Sequence, residues 1–279
     1  MSKPDPLPAK RLRRTSAPAP AASAAPATPT TPSGKPQRHF AIIGAGMAGI
    51  VCARTLVQAG HRVTVFEKSH QAGGRTATID SPFGNFDAGA QYFTVRDPRF
   101  ARAIDTVPGI CKRWSANSVQ VLDAAGRVAA VGLPHREAHW VATPGMQSLV
   151  TTWAEPLAQA GQLVTHTRVT RIEPDAVNAP GWQLRTEGAG GEQHVYAGFD
   201  AVLLAQPSVP AQALISGSRL DSPLADAMSK VAIAPCWTLM LAYPQAVRPG
   251  LTTLGPQWNV ARSTHHRIAW LARESSKPG

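Results

Sequence analysis

Cysteine is scarce in this sequence, and long uninterrupted apolar stretches are absent. The three cysteines, Cys52, Cys111 and Cys236, are widely spaced and provide neither a CxxC motif nor a disulfide framework. This pattern is typical of a reducing compartment, so a cytoplasmic location is expected. The best candidate for a membrane span, residues 40–53, is short and interrupted by glycine, so no span is expected.

Acidic residues are also few, 17 against 28 Lys and Arg, which gives a formal net charge of +11. Residues 1–37 are rich in Pro and Ala and carry the basic run KRLRR (10–14). With few large apolar side chains, this segment cannot offset its ordering entropy by burial, so a disordered basic tail is predicted. The run could bind nucleic acid or an anionic membrane, but a solvated tail is the favoured interpretation, and no nucleic-acid partner is expected.

A glycine-rich turn opens the part of the chain predicted to fold. The apolar residues 40–43 (FAII) predict a buried parallel strand, and Gly44, Gly46 and Gly49 follow as GxGxxG. In a dinucleotide-binding turn, the first glycine permits the tight turn and the second lets a pyrophosphate approach the backbone. The third lets the helix pack close to the sheet. Apolar residues at helical spacing then predict a helix over residues 47–59.

An acidic residue closes the next predicted strand. Residues 62–67 (RVTVFE) alternate apolar and polar side chains, and Glu67 follows Gly44 by 23 residues. An acid at this position accepts hydrogen bonds from the ribose of an adenosine, and its charge disfavours a 2′-phosphate. The strand, turn, helix and acid together therefore predict FAD or NAD as the ligand, rather than NADP.

The residues after Glu67 distinguish between these two ligands. Gly73 and Gly74 form a second small-residue turn, whose backbone N–H groups can point at phosphate. Arg75 follows at once and can pair with a pyrophosphate or lie near a flavin. Residues 86–94 (FDAGAQYFT) then predict a tight backbone with an aromatic pair behind it. A simple nicotinamide dehydrogenase needs neither segment, so the sequence favours FAD.

In this order, the motifs resemble the flavin amine oxidase superfamily, and most closely its renalase-like branch of FAD-dependent oxidoreductases. The resemblance continues through PGMQSL (144–149), THTRVTRIE (165–173) and residues 258–279, and so covers about 38–279. It departs at Gln71, where some members have a basic residue. On the strand 165–173, it implies that the backbone of Val169 faces the adenine. The motifs and the resemblance together predict these cofactor-binding residues: Gly44, Ala45, Gly46, Met47, Ala48, Gly49, Glu67, Lys68, Gly73, Gly74, Arg75, Gly89, Ala90, Gln91, Tyr92 and Val169.

The predicted fold class is α/β. A Rossmann-like FAD-binding domain with a β-meander is expected over 38–100 and 146–210, and a mixed-sheet substrate domain over 101–145 and 211–279. Within the first domain, residues 182–207 predict a hairpin around GAGG and then a buried strand over 201–204. The apolar spacing after Met146 predicts a helix, which Pro156 should bend or break near its end. The resemblance also implies a late Gly-Asp segment that the sequence lacks. We therefore expect an incomplete substrate domain, a chain truncated at its C-terminus, and weak FAD binding or poor folding.

The resemblance implies an FAD-dependent oxidoreductase. The first candidate reaction is hydride transfer from a small-molecule substrate, such as a dihydronicotinamide isomer, to flavin and then to oxygen. Flavin chemistry needs no protein nucleophile, so the sequence assigns no catalytic residue, and it predicts no metal site. An amine oxidase or desaturase of the same superfamily is the alternative enzyme. A truncated, catalytically inactive FAD-binding fragment is a further alternative, and an NAD-dependent dehydrogenase is a weaker one.

The second half of the chain holds residues that could line a cavity over the flavin. Trp237, Trp258 and Trp270 accompany the apolar segment TLMLAYP (238–244), which predicts a sheet roofing such a cavity. Plain core packing is the favoured reading for any one of these tryptophans. His265 and His266 are adjacent, so on a strand they face opposite sides and one could reach the cavity.

Overall fold

The computed structural model describes residues 36–114, 119–125, 127–131, 137–243, 259–264 and 267–279. Most of the predicted basic tail therefore lies outside the described residues, as do Trp258, His265 and His266. Among the described residues, no helix combines the length and hydropathy that a membrane crossing requires.

The described residues form sixteen strands and five α-helices. The strands are β1 His39–Ile43, β2 Arg62–Phe66, β3 Thr78–Ser81, β4 Gly84–Asp87, β5 Phe93–Thr94, β6 Cys111–Trp114, β7 Val119–Leu122, β8 Val128–Val131, β9 His139–Ala142, β10 Leu163–Val164, β11 Thr167–Pro174, β12 Trp182–Gly188, β13 Gln193–Phe199, β14 Ala201–Leu204, β15 Val260–Ser263 and β16 Trp270–Ala272. The helices are α1 Met47–Gln58, α2 Pro98–Asp105, α3 Ser148–Gln159, α4 Ser208–Gly217 and α5 Pro223–Ser229.

A parallel sheet of four strands, in the order β10-β2-β1-β14, underlies the glycine-rich turn. Ile42 of β1 pairs with Val65 of β2 on one side and with Leu203 of β14 on the other. The strands predicted at 40–43, 62–67 and 201–204 are thus confirmed, with Glu67 directly after the last residue of β2. The predicted helix is also confirmed: α1 begins at Met47 and ends one residue before the predicted Ala59.

One hydrophobic core lies between this sheet, α1 and α3. Ile42, Ile50 and Val65 are fully buried in it, and Trp153 of α3 is 2% exposed. Ile50 and Trp153 follow the apolar spacing that predicted their two helices. Pro156 lies inside α3, which ends three residues later.

A second core lies between the parallel sheet and an antiparallel sheet of β11, β12 and β13. Leu184 and Phe199 of this sheet pack with Ile43 of β1 and with Leu214 of α4. The predicted hairpin around GAGG is confirmed, because β12 and β13 pair antiparallel on either side of it. The result is an α/β fold of the Rossmann-like type with a β-meander, as predicted.

Three further sheets complete the described structure: β3-β4, β5-β9-β6 and β16-β15-β7-β8. Trp114, Val141, Met146 and Val260 form a third core cluster among them. The predicted bounds of the two domains stay a prediction.

The prediction of a sheet from TLMLAYP is wrong for residues 238–243, the part of this segment that the structure describes. Residues 231–243 form neither helix nor strand, and Trp237 and Leu239 are 95% and 82% exposed. A strand needs a neighbouring strand to pair its backbone N–H and C=O groups. Apolar composition alone does not supply that neighbour, so the segment forms no strand here, and the Trp237 and Leu239 side chains pack into no core.

Candidate cofactor site

The first glycine turn and Glu67 lie at the same edge of the parallel sheet. The Gly44 N–H donates to the Phe66 carbonyl at 2.8 Å, which ties the turn to the end of β2. The Glu67 carboxylate is 7% exposed and accepts hydrogen bonds from the Ala45 N–H at 2.8 Å and the Ser69 N–H at 2.9 Å. The structure thus brings the predicted acid against the predicted turn.

Packing within the chain requires two of the three glycines of GxGxxG, but not the third. A Cβ on Gly44 would lie 2.9 Å from the Ala205 carbonyl oxygen, and φ of Gly44 is +107°. A Cβ on Gly49 would lie 1.9 Å from the Gly44 carbonyl oxygen. At positions 44 and 49 any side chain would therefore clash with the backbone of the chain itself. At Gly46, φ is −75° and a Cβ would meet nothing closer than 3.9 Å, so the chain itself leaves space there.

This space lies at the N-terminus of α1. Gly46 is the N-cap residue and supplies no capping side chain, and the first turn, residues 47–50, contains no acid. The first N–H groups of a helix have no intrahelical partner, and their aligned dipoles favour an anion. The geometry therefore suits a phosphate group held by the backbone of Met47 and Ala48.

The second glycine turn lies directly against the first. The Gly73 N–H donates to the Ala45 carbonyl at 3.0 Å, and Gly46 and Gly73 form an isolated parallel bridge. Gly74 has a φ of +58°, and a Cβ there would lie 3.1 Å from the Cα of Gly46. Two turns that are 27 residues apart in the sequence therefore form one continuous surface of backbone.

Arg75 and Lys68 lie at the rim of this surface. Both are exposed, and in the described part of the chain no hydrogen bond or ion pair of the Arg75 guanidinium is present. An exposed guanidinium beside two glycine turns can pair with a phosphate.

The segment around Gly89 packs on the second turn. The Ala90 N–H donates to the Arg75 carbonyl at 2.9 Å, and a Cβ on Gly89 would lie 2.0 Å from that same carbonyl oxygen. Gln91 follows, and its side-chain amide donates to the Asp87 carbonyl. Tyr92 stacks on the His139 ring with centroids 3.9 Å apart. This segment, which contains four of the predicted cofactor-binding residues, therefore adjoins the glycine turns.

Val169 lies in β11, whose first residue is hydrogen-bonded to Glu67. Its side chain is buried in the second core, and β11 begins where the Thr167 N–H donates to the Glu67 carbonyl at 2.8 Å. The predicted role of its backbone at the adenine stays a prediction.

Two buried polar residues hold these turns and were missing from the predicted site. The Gln147 amide donates to the Ala72 carbonyl at 2.6 Å and accepts from the Thr78 N–H at 3.0 Å, so it spans the second glycine turn. Asp87 accepts from the Thr78 hydroxyl at 2.7 Å and the Met146 N–H at 2.8 Å. Asp87 stands inside the DAGAQ motif, which could have indicated it, whereas nothing in the sequence distinguishes Gln147 from an exposed glutamine.

One part of the chain is similar to a known family of domains. Residues 42–107 match the family described as the NAD(P)-binding Rossmann-like domain. The match begins within β1 and includes α1, β2 and both glycine turns. The matched residues are thus similar to a dinucleotide-binding domain.

Similar proteins include oxidases, a desaturase and a monooxygenase. The chain is 54% identical over 41 residues to an L-amino acid oxidase of Lachesis muta, which is 15% of this chain and 8% of that protein. It is 40% identical over 58 residues, 21% of this chain and 12% of the relative, to a 4,4'-diapophytoene desaturase of Staphylococcus haemolyticus (strain JCSC1435). It is 28% identical over 180 residues to a flavin-containing monooxygenase of Arabidopsis thaliana, 62% of this chain and 35% of that protein. The matched segments thus span about a third or less of each relative.

Among solved structures, this chain is similar to cyclohexylamine oxidase from Brevibacterium oxydans IH-35A. The TM-score is 0.53 at 14% sequence identity, over 70% of this chain and 63% of that one. At this identity, the likeness concerns the fold.

Proposed function

We propose that this chain is the FAD-binding part of an FAD-dependent oxidoreductase of the renalase-like branch. The observation that carries the proposal is the space at Gly46. Packing requires Gly44 and Gly49, but a Cβ on Gly46 would meet no protein atom closer than 3.9 Å. A glycine that the protein does not need for its own packing is accounted for by a ligand that approaches its backbone.

The residues around this space suit the parts of FAD. The N-terminus of α1, with Ala45, Met47 and Ala48, holds the pyrophosphate, and Glu67 accepts hydrogen bonds from the adenosine ribose. On the exposed rim, Arg75 and Lys68 add positive charge. The remaining members of the proposed site are the second glycine turn, the segment that follows Asp87 and the adenine contact: Gly73, Gly74, Gly89, Ala90, Gln91, Tyr92 and Val169.

When bound, FAD supplies the hydride acceptor, so the chain needs no nucleophile of its own. The first candidate reaction is hydride transfer from a small-molecule substrate, of which a dihydronicotinamide isomer is the first choice, with oxygen as electron acceptor. An amine or amino-acid oxidase is the second candidate, because an L-amino acid oxidase is among the proteins with a matching segment. Cytoplasmic location and the absence of a nucleic-acid partner belong to the same proposal.

The space at Gly46 also provides the decisive experiment, a titration of the full chain with FAD followed by flavin fluorescence. Gly46→Ala should leave the melting temperature nearly unchanged, because the added methyl group has room. It should lower FAD affinity by about tenfold or more, because the same methyl group occupies the place of the phosphate. Gly217→Ala is the matched control, since a Cβ there meets nothing within 4 Å and Gly217 lies outside the proposed site.

Three results would contradict the proposal. The first is a wild-type chain that binds NAD but no FAD, which would make it a nicotinamide-dependent enzyme. The second is Gly46→Ala binding FAD as tightly as wild type, which would place the cofactor elsewhere. The third is a chain that binds neither dinucleotide.

A further inference from the structure

A lysine far along the chain is buried against the proposed cofactor site. The Lys277 ammonium lies 2.6 Å from Asp87 Oδ2, 2.8 Å from Glu274 Oε1 and 3.1 Å from Gln91 Oε1. Its three N–H groups therefore have three acceptors, which is its full donor capacity. The Lys277 side chain is 8% exposed and that of Asp87 is 2% exposed, so the ion pair is largely removed from water.

Asp87 needs this cation. Its other oxygen, Oδ1, accepts from the Thr78 hydroxyl and the Met146 N–H, and both of those donors are uncharged. A buried carboxylate without a positive partner is costly, and removing one partner of a buried ion pair leaves the other charge uncompensated. Burial also raises the pKa of the Glu274 carboxyl, and the Lys277 charge opposes that rise. Lys277 thus forms ion pairs with two carboxyl groups, those of Asp87 and Glu274.

Gln91 links the lysine to the cofactor segment. Its amide donates to the Asp87 and Gly89 carbonyls, while its oxygen accepts from Lys277. These bonds fix which way the amide points. The backbone they hold, from Asp87 to Gln91, is the same backbone that packs on the carbonyl of Arg75.

We propose that Lys277 is a positioning residue for the cofactor: it holds the Asp87–Gln91 backbone in the conformation that the bound flavin contacts. The contact joins residues that are 190 and 186 positions apart, so the end of the described chain becomes part of the FAD site without touching FAD. The inference rests on the proposed function.

The test compares Lys277→Met with wild type and with Lys230→Met, a control at an exposed lysine. FAD affinity, the visible spectrum of the bound flavin and the melting temperature are measured on the full chain. Lys277→Met should lose about tenfold or more in FAD affinity and should shift the flavin spectrum, because Gln91 loses a charged donor. Lys230→Met should change neither.

Two more variants separate positioning from charge compensation. The double variant, Asp87→Asn with Lys277→Met, removes both charges and should recover much of the melting temperature. Its FAD affinity should stay low, because Gln91 still lacks the hydrogen bond from Lys277. Lys277→Arg keeps the positive charge and should keep the fold. It should bind FAD with intermediate affinity, because the N–H groups of a guanidinium lie in different positions relative to Gln91 than those of the lysine ammonium.

The outcomes distinguish the two proposals. If wild type binds FAD and Lys277→Met binds it equally well with the same spectrum, the positioning role is overturned and the proposed function stands. Full recovery of FAD affinity in the double variant overturns it too, since charge compensation would then explain the whole effect. If wild type binds no FAD, the proposed function fails and this inference fails with it.

Discussion

The Glu67 carboxylate accepts a hydrogen bond from the Ala45 N–H at 2.8 Å. One short contact therefore joins the end of β2 to the middle of the glycine-rich turn. The acid has a second N–H donor in Ser69 and lies almost completely buried. It supports the turn and also stands where the ribose of the proposed cofactor would bind.

These two roles can be separated by substitution. Glu67→Ala leaves the Ala45 N–H without its partner and should lower the free energy of unfolding by roughly 1–3 kcal/mol, measured by urea denaturation. Glu67→Gln keeps an acceptor for Ala45 but loses the charge, so it should retain more stability than Glu67→Ala while lowering FAD affinity. Glu155→Gln, at an exposed position of α3, is the control. Equal FAD affinity in Glu67→Gln and wild type would argue against the ribose contact.

A methyl group at Gly49 should damage the fold itself. The Cβ of Gly49→Ala would lie 1.9 Å from the Gly44 carbonyl oxygen, so α1 must move away from the turn. We expect a destabilisation of about 1–3 kcal/mol, typical of overpacked sites, and loss of FAD binding, in contrast to the stable Gly46→Ala. Thermal unfolding followed by circular dichroism measures this effect. A melting temperature as high as that of Gly217→Ala would show that the turn yields more easily than its geometry indicates.

Asp175 should make stability depend on acidity. The Asn178 side chain, the Asn178 and Val177 N–H groups and the Gly198 N–H all donate to its carboxylate, and these hydrogen bonds hold its pKa well below the ordinary range. Because the pKa is lowered in the folded state, the stabilisation is complete above the unfolded value of about 4 and is lost as the pH falls below it.

The Asp175→Asn variant tests this dependence. It should melt at a lower temperature than wild type at neutral pH, and the difference should shrink as the solution is acidified below about pH 4. Asp80→Asn, at an exposed position, should show no such convergence. A difference between Asp175→Asn and wild type that stays constant with pH would assign the stabilisation to something other than the carboxylate charge.

The three thiols should differ in reactivity. Burial raises the pKa of Cys111 to about 11 and also raises that of Cys52, whereas Cys236 is exposed. The thiolate is the reactive form, so iodoacetamide at about pH 8 should modify Cys236 first, well before Cys52 and Cys111, unless the protein is unfolded. Mass spectrometry of peptides over time measures the order. Modification of Cys111 as fast as Cys236 would mean that β6 opens readily to solvent.

The local parts of the fold could be predicted from the sequence, because short-range patterns determine them. The apolar runs of β1 and β14, the helical spacing of α1 and the glycines of both turns identify their elements directly. The placement of Glu67 followed from its distance along the chain to Gly44. All of these inferences use residues that are close in sequence or a motif of fixed spacing.

The failures concern partners that are distant in sequence. Residues 231–243 have the apolar composition of a strand, but composition does not reveal whether another strand lies alongside. Likewise, nothing near Lys277 indicates that its partner is Asp87, since an isolated lysine is ordinarily exposed. The buried Gln147 was missed for the same reason, because its role depends on hydrogen bonds to Ala72 and Thr78, which are distant in the sequence.

The position of β14 has a consequence for synthesis of the chain. β1 lies between β2, which follows it closely, and β14, which arrives much later, and the His39 N–H bonds the Asp200 side chain across 161 residues. A nascent chain can therefore pair one flank of β1 early, while the other flank stays unpaired until residues 201–204 have been synthesised. Pairing over such separations is slow. Until then this edge of β1 presents unpaired backbone N–H and C=O groups, so the growing chain is open to pairing with other chains during that interval.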